Sequence, residues 1–362
     1  MTYALAAAGT GGHVYPALAV ADALVARGVS SSDIVFFGGN RLEARAVPEA
    51  GYELVQLELR GLQRSLTAKN LGIPNMLRSA IKRSKDEMSR RGTAVVLAFG
   101  GYVTVPVARA ALALRLPYFL HEQNAEPGLA NRMVARKAAA VFCAFEPSTR
   151  KLPRAIVIGN PLRVEFADFD RAALRDAARD RYGLARDAKV LGVLGGSQGA
   201  KILNEAVGRI AGQGHPGMAV LHLAGSAHAE SVEGEAAKAE VPWKVIAFEK
   251  DMRSFYAAAD LVLSRAGALT VSELARTRTP SIVVPYAAGT AGHQAANARD
   301  LESVGASVVV DESDIATIPG RVLGLLNDEI ALVAMSDAAA GADRGDAAGV
   351  LADRLLEVAR GQ

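Results

Sequence analysis

Three glycine-rich turns carry the residues of this sequence best suited to hold an anion and to move a proton beside it. Gly9-Thr10-Gly11-Gly12-His13 follows the apolar run Tyr3–Ala8 and precedes a helical pattern. Glycine at such a junction permits a tight bend and lets backbone amides approach an anion, while the helix N-terminus adds favourable partial charge. His13 projects from this turn, and an imidazole titrates near neutral pH, which makes it a candidate general base. The turn is neither the dinucleotide fingerprint G-x-G-x-x-G nor a P-loop, since no lysine follows it. Gly195-Gly196-Ser197-Gln198-Gly199-Ala200 repeats the logic, with the Ser197 hydroxyl available to a phosphate oxygen. In the third turn, Ser264–Glu273, the amides of Ala268, Leu269 and Thr270 open a helix and point at a diphosphate. Glu273 follows one turn later, where a carboxylate can accept two ribose hydroxyls.

Further polar groups gather at other junctions. His121-Glu122-Gln123-Asn124 ends an apolar run and precedes Pro127-Gly128, and Glu122 is an alternative base to His13. Gly159-Asn160-Pro161-Leu162-Arg163 places a fixed positive charge at a turn between the two halves. Gln294 and Asn297, in Gly292–Asn297, are placed to meet sugar hydroxyls. Asp168-Phe169-Asp170 matches the D-x-D signature of metal-dependent sugar transferases, but its position before a helix favours capping by Asp170. The one cysteine, Cys143, excludes an intramolecular disulfide and a cysteine-built zinc site, and its apolar surroundings predict a buried thiol.

The elements that must position these groups repeat strand, glycine turn and helix along the chain. Apolar runs at Ile34–Phe37, Val95–Phe99, Tyr118–His121 and Ala140–Phe145 read as strands. So do Val190–Leu194, Val220–Leu223, Val245–Phe248, Leu261–Ser264 and Ser281–Pro285 in the second half. Alternation at this spacing predicts an α/β chain of parallel doubly wound sheets, which bind ligands beyond the carboxyl ends of their strands. With 362 residues, 50% hydrophobic and only 5% aromatic, two such domains are expected. The boundaries predicted are residues 1–160, residues 161–345, and a C-terminal helix over 346–362 that either caps the second domain or crosses back to the first. The longest apolar stretch, Ala94 to Leu120, contains Gly100, Gly101, Pro106, Arg109 and Arg115, which argues against a spanning helix. The N-terminus lacks the basic n-region of a signal peptide, so a soluble protein is expected.

Arg60 to Arg91 has a different character. Arg60, Arg64, Lys69, Arg78, Lys82, Arg83, Lys85, Arg90 and Arg91 stand against only Asp86 and Glu87, with Leu66, Leu71, Ile73, Met76, Leu77 and Ile81 interleaved. This mixture suits docking on an anionic membrane surface, at about 1 kcal/mol per basic residue near the headgroups. An amphipathic helix with a solvated charged face is the plainer alternative. Nucleic acid is disfavoured, because the segment lacks aromatic residues for stacking.

Taken in order, Gly9–His13, Phe99-Gly100-Gly101-Tyr102, His121–Asn124, Gly159–Arg163, Gly195–Ala200, Ser264–Glu273 and His293–Asn297 resemble the MurG family of bacterial peptidoglycan glycosyltransferases. The resemblance spans essentially the whole chain. It implies the GT-B fold, two Rossmann-like doubly wound domains facing a cleft. It implies inverting transfer of N-acetylglucosamine from UDP-N-acetylglucosamine to the 4-hydroxyl of undecaprenyl-diphospho-N-acetylmuramoyl-pentapeptide, forming lipid II at the cytoplasmic face of the membrane. On that resemblance, Glu273 holds the ribose, and Ser197 with Ala268, Leu269 and Thr270 holds the diphosphate. Gln294 and Asn124 lie near the sugar, and Thr10, Gly11, Gly12 and Arg163 complete the donor site. No cofactor and no metal are implied. Tyr286–Gly292 departs from the family pattern by lacking acidic or basic residues. A UDP-N-acetylglucosamine 2-epimerase, a glycolipid synthase of the same fold and a non-catalytic UDP-sugar sensor stay open as other readings.

Overall fold

The computed structural model describes residues 1–59, 73–196, 199–213, 215–287 and 292–361. Their contacts divide the chain into two units, Met1–Val164 with Arg344–Gln362, and Glu165–Asp343.

In the first unit, β1 (Thr2–Ala6), β2 (Ile34–Gly38), β3 (Glu53–Gln56), β4 (Thr93–Ala98), β5 (Tyr118–Glu122), β6 (Ala140–Cys143) and β7 (Ala155–Val157) form one sheet in the order β3-β2-β1-β4-β5-β6-β7. Every neighbouring pair is parallel. The central strands are apolar throughout because helices cover both faces of the sheet. Alternate residues of β1 show this: Tyr3 and Leu5 enter one core layer, Ala4 and Ala6 the other. The helices are α1 (Gly11–Ala26), α2 (Glu43–Glu49), α3 (Ile73–Arg91), α4 (Thr104–Ala113) and α5 (Leu129–Val134). Strand order reverses between β1 and β4, so the loops after these strands flank the crevice where such sheets bind ligands.

The second unit repeats the plan. β8 (Lys189–Leu194), β9 (Met218–Leu223), β10 (Trp243–Ile246), β11 (Leu261–Ser264), β12 (Ser281–Val283) and β13 (Ser307–Val309) pair in parallel in the order β10-β9-β8-β11-β12-β13. Around them lie α6 (Arg171–Tyr182), α7 (Lys201–Ala211), α8 (Ala229–Ala236), α9 (Met252–Ala258), α10 (Ala268–Arg276), α11 (His293–Val304), α12 (Ile318–Leu326) and α13 (Glu329–Ala339). The strand expected at Val245–Phe248 begins two residues earlier. The Trp243 ring stacks on His222 of β9 with centroids 5.9 Å apart, and that aromatic contact sets the start of pairing. Asp170 caps α6 by accepting from the Ala173 amide at 3.1 Å, the role its position before a helix predicts. Cys143 is buried, and burial pushes its thiol up to about 12.

The last helix, α14 (Ala347–Arg360), belongs to the first unit, where Leu351, Ala352 and Leu355 are buried in the same core layer as Val14, Ala17 and Leu24 of α1. Each buried leucine contributes about 1.5–3 kcal/mol, more than the partly exposed Arg27–Asp353 ion pair at 2.6 Å on the same contact.

Candidate functional site

In the first unit the turn after β1 is built around Gly9, whose φ of +103° is left-handed. Thr10 takes the N-cap position of α1 with extended backbone, and the amides of His13 and Val14 return to its carbonyl at 3.1 and 3.2 Å. Gly11 and Gly12 therefore head a helix with no acidic residue in its first turn, an arrangement that attracts anions. The half-buried His13 ring lies against the turn after β4: a Cβ at Gly100 would stand 3.0 Å from His13 Nε2 and 3.5 Å from Asn131 Nδ2. Next to it, a Cβ at Gly101 would meet the Ala8 carbonyl oxygen at 2.6 Å, so only glycine lets these two turns touch. The Arg163 guanidinium lies over the Tyr15 ring of α1, 6.0 Å from its centroid.

Glu122, at the end of β5, is buried, and both its oxygens are occupied. Oε1 accepts from the Asn124 amide at 3.0 Å and from Asn124 Nδ2 at 3.3 Å. Oε2 accepts from the Gly128 amide at 3.0 Å and from Asn131 Nδ2 at 2.9 Å. Such a carboxylate organises its loop, with two donors engaged at each of its oxygens. Its neighbour His121 is a pillar of the same loop. His121 Nε2 donates to the Gly159 carbonyl at 2.9 Å, and its Nδ1 accepts from Gln123 Nε2 at 3.0 Å, which fixes the neutral tautomer. Burial lowers the His121 pKa to about 4.

Glu43 is a residue the sequence reading did not single out. It is fully buried at the start of α2 and accepts from the amides of Gly9 at 3.0 Å and Gly39 at 2.9 Å, and from the Tyr102 hydroxyl at 3.1 Å. The available signal was its place just after the Gly38-Gly39 pair, where exposed amides need an acceptor.

In the second unit the turn after β8 has left-handed φ at Gly196 and Gly199. A Cβ at Gly199 would fall 2.1 Å from the Ala224 carbonyl oxygen, so the turn sits close against the end of β9. Ser197 lies outside the described residues. Gly267 caps α10, whose first turn, Ala268, Leu269 and Thr270, contains no acid, so its amides are set for an anion. On the next turn Glu273 Oε2 accepts from the Tyr256 hydroxyl at 2.7 Å.

A cavity of about 610 Å³ opens beside these turns, lined by Gly195, Gly199, Lys201, Arg265, Gln294 and Glu312 among others. Arg265 was named in the third turn only as part of the run, yet it is the cation held most firmly here. Its guanidinium bonds the Val284 carbonyl at 3.2 Å, pairs with Glu312 at 2.6 Å and faces the Tyr286 ring at 5.2 Å. Gln294 accepts from the Tyr286 amide at 2.9 Å, which orients its side chain at the cavity wall. Asn297, expected to face a sugar, is instead fully buried and donates to the Ala266 carbonyl at 3.2 Å. It joins α11 to the third glycine turn, so its role is to hold that turn.

Comparison with known proteins agrees with both halves. Residues 3–143 match the glycosyltransferase family 28 N-terminal domain, and residues 190–351 match the family 28 C-terminal domain. A protein of Clavibacter michiganensis named UDP-N-acetylglucosamine--N-acetylmuramyl-(pentapeptide) pyrophosphoryl-undecaprenol N-acetylglucosamine transferase is 41% identical, over 98% of this chain and 96% of its own. The crystal structure of Acinetobacter baumannii MurG aligns over 99% of this chain and 100% of its own, with a TM-score of 0.78 and 27% identity. A UDP-GlcNAc 2-epimerase from Neisseria meningitidis aligns over 98% of this chain and 100% of its own, with a TM-score of 0.68 but 14% identity, a likeness of fold alone.

Proposed function

The chain belongs to the MurG family within glycosyltransferase family 28, and on that premise we propose that it makes the disaccharide lipid precursor of peptidoglycan. It is a GT-B glycosyltransferase that moves N-acetylglucosamine from UDP-N-acetylglucosamine to the 4-hydroxyl of lipid-linked N-acetylmuramoyl-pentapeptide. The observation that carries this reading is the cradle of the second unit. An acid-free helix N-terminus at α10, a carboxylate on its next turn fixed by Tyr256, and Arg265 beside a cavity suit a diphosphate, a ribose and a sugar together.

The chemistry is a direct displacement at the anomeric carbon. The acceptor hydroxyl attacks, its proton passes to a base, the bond to the donor diphosphate breaks, and the anomeric configuration inverts. His13 is the base. What favours it over Glu122 is the Glu122 carboxylate's four donors, which fit an organising part. Negative charge developing on the departing diphosphate is met by the amides of Ala268, Leu269 and Thr270 and by Arg265, with Ser197 as a further donor. Gln294 and Asn124 serve the sugar, while Thr10, Gly11, Gly12 and Arg163 serve substrate oxygens of high negative charge. No metal is assigned to the leaving group, and the engagement of Asp170 as a helix cap fits that assignment.

We further propose a peripheral position at the cytoplasmic face of the membrane. No helix among the described residues is long and apolar enough to cross one. On α3, Ala80, Ser84 and Met88 are buried while Arg78, Lys82, Arg83, Lys85 and Arg90 are exposed, which supports contact with anionic lipid. Residues 60–72 of the same basic segment lie outside the described residues.

The test is transfer of radiolabel from UDP-N-acetylglucosamine to a short-chain lipid-linked muramoyl-pentapeptide. Labelled disaccharide lipid is expected. Folded protein that binds UDP yet forms no product refutes the reading, and epimer released from donor alone would assign the chain to the isomerases.

A further inference from the structure

We propose that Glu43 is the positioning residue for His13: one buried carboxylate holds the two glycine turns between which the imidazole sits. The inference rests on His13 as the base and names a group that acts through it.

Two turns meet at the His13 ring. One is its own turn, which leaves β1 through Gly9. The other is the turn after β4, where Gly100 packs against Nε2 closely enough that a Cβ would stand 3.0 Å away. Glu43 reaches both. Its Oε2 accepts from the Gly9 amide at 3.0 Å, and its Oε1 accepts from the hydroxyl of Tyr102, two residues past Gly100, at 3.1 Å. Oε1 also accepts from the Gly39 amide at 2.9 Å, which ties in the turn after β2. The carboxyl ends of β1, β2 and β4 are thus joined at a single side chain.

The packing is cleared for this contact. A Cβ at Gly38 would lie 2.8 Å from Glu43 Cγ, and one at Gly39 would lie 1.8 Å from the Tyr102 hydroxyl. The ionised carboxylate accepts from all of these donors at once and has no proton of its own to turn against them. Burial alone would raise the Glu43 pKa; the bonds from Gly9, Gly39 and Tyr102 outweigh it and hold the group below its ordinary value. An uncharged amide in its place would turn donors toward donors. The cost would appear as misplacement of His13, and misplacement by about 1 Å can cost on the order of a hundredfold in rate.

A double-mutant cycle tests this, with kcat, the Kd for UDP and the melting temperature measured for every protein. Glu43→Gln is expected to lower kcat by about 30-fold or more while UDP affinity falls by no more than about fivefold, because only the Gly9–Gly12 side of the donor site is loosened and the cradle of the second unit is untouched. In the His13→Ala background the same substitution should cost almost nothing further, since the group it positions is gone. Tyr102→Phe, which frees only the Gly100 side, should lower kcat by about 3–10-fold and show the same non-additivity, and it serves if Glu43→Gln does not fold. Unchanged kcat in Glu43→Gln, or losses that multiply with His13→Ala, would overturn the proposal and leave the base intact. Near-normal turnover in His13→Ala would instead remove the base, and the proposal with it.

Discussion

The Tyr256 hydroxyl of α9 lies 2.7 Å from Glu273 Oε2 on α10, so a fully buried phenol orients the carboxylate assigned to the ribose. Removing the hydroxyl takes this bond from the carboxylate without changing its charge. Tyr256→Phe should therefore weaken UDP binding by about 3–10-fold, the net worth of one ordinary hydrogen bond. Calorimetric titration with UDP checks this. The KM for the donor should rise in step, with kcat little changed, as expected when uniform binding is lost.

Glu122 and His13 should separate by the kind of damage their removal causes. His13→Ala should lower kcat by about 10²–10⁴-fold and leave the melting temperature close to that of the parent, because the ring is half-buried and serves a proton transfer. Glu122→Gln leaves the Gly128 amide and Asn131 Nδ2 facing an amide with one acceptor. It should cost about 2–3 kcal/mol of stability, seen as a lowered melting temperature. Thermal melts and kcat on the same two proteins decide the matter, and the reverse pattern would make Glu122 the base.

Arg265 is neutralised by Glu312 at 2.6 Å, on a cavity wall assigned to an anionic donor. A diphosphate must compete with that carboxylate for the guanidinium. Glu312→Gln should tighten UDP binding by about 2–5-fold at low salt, and the gain should shrink as ionic strength rises. Arg265→Ala should weaken it by at least about tenfold. Titrations at two salt concentrations read both effects.

Much of this arrangement was legible because the sheet interiors are apolar on both faces. Leu261–Ser264 is found at its expected limits, and Val95–Phe99 lies within a residue or two of β4. The edge strands β3 and β13 were not, since each is only three or four residues long and half exposed, so their pattern carries little signal. Glycine turns announce a backbone geometry, and they led to His13 and to the α10 amides. Glu43 stayed hidden because, beyond the nearby Gly39 amide, it serves the amide of Gly9, 34 positions away, and nothing local marks that second pairing. Asn297 failed in the opposite sense: its helix was right, but the sequence does not tell which face of α11 turns toward Ala266.

Each unit buries a histidine in its sheet, and both contribute to how stability responds to acid. His121 in β5 is held neutral by its bonds to Gly159 and Gln123, and a second ring proton would point at the Gln123 amide group. His222 in β9 bonds Asn204 Oδ1 at 3.1 Å and stacks on Trp243. Burial lowers both from 6.5 to about 4. Between those values the unfolded chain takes up protons that the native chain refuses, so stability rises with pH across the window. The contribution of these rings is full above about pH 6.5 and is lost as pH falls toward 4. Urea midpoints should fall steadily from pH 7 to pH 4.5, with up to two protons taken up on unfolding. His222→Gln should remove about one of them and flatten the dependence of the transition reported by Trp243, the single tryptophan, which lies in the second unit. A midpoint that stays level over this range would mean that the two rings are not neutral by burial.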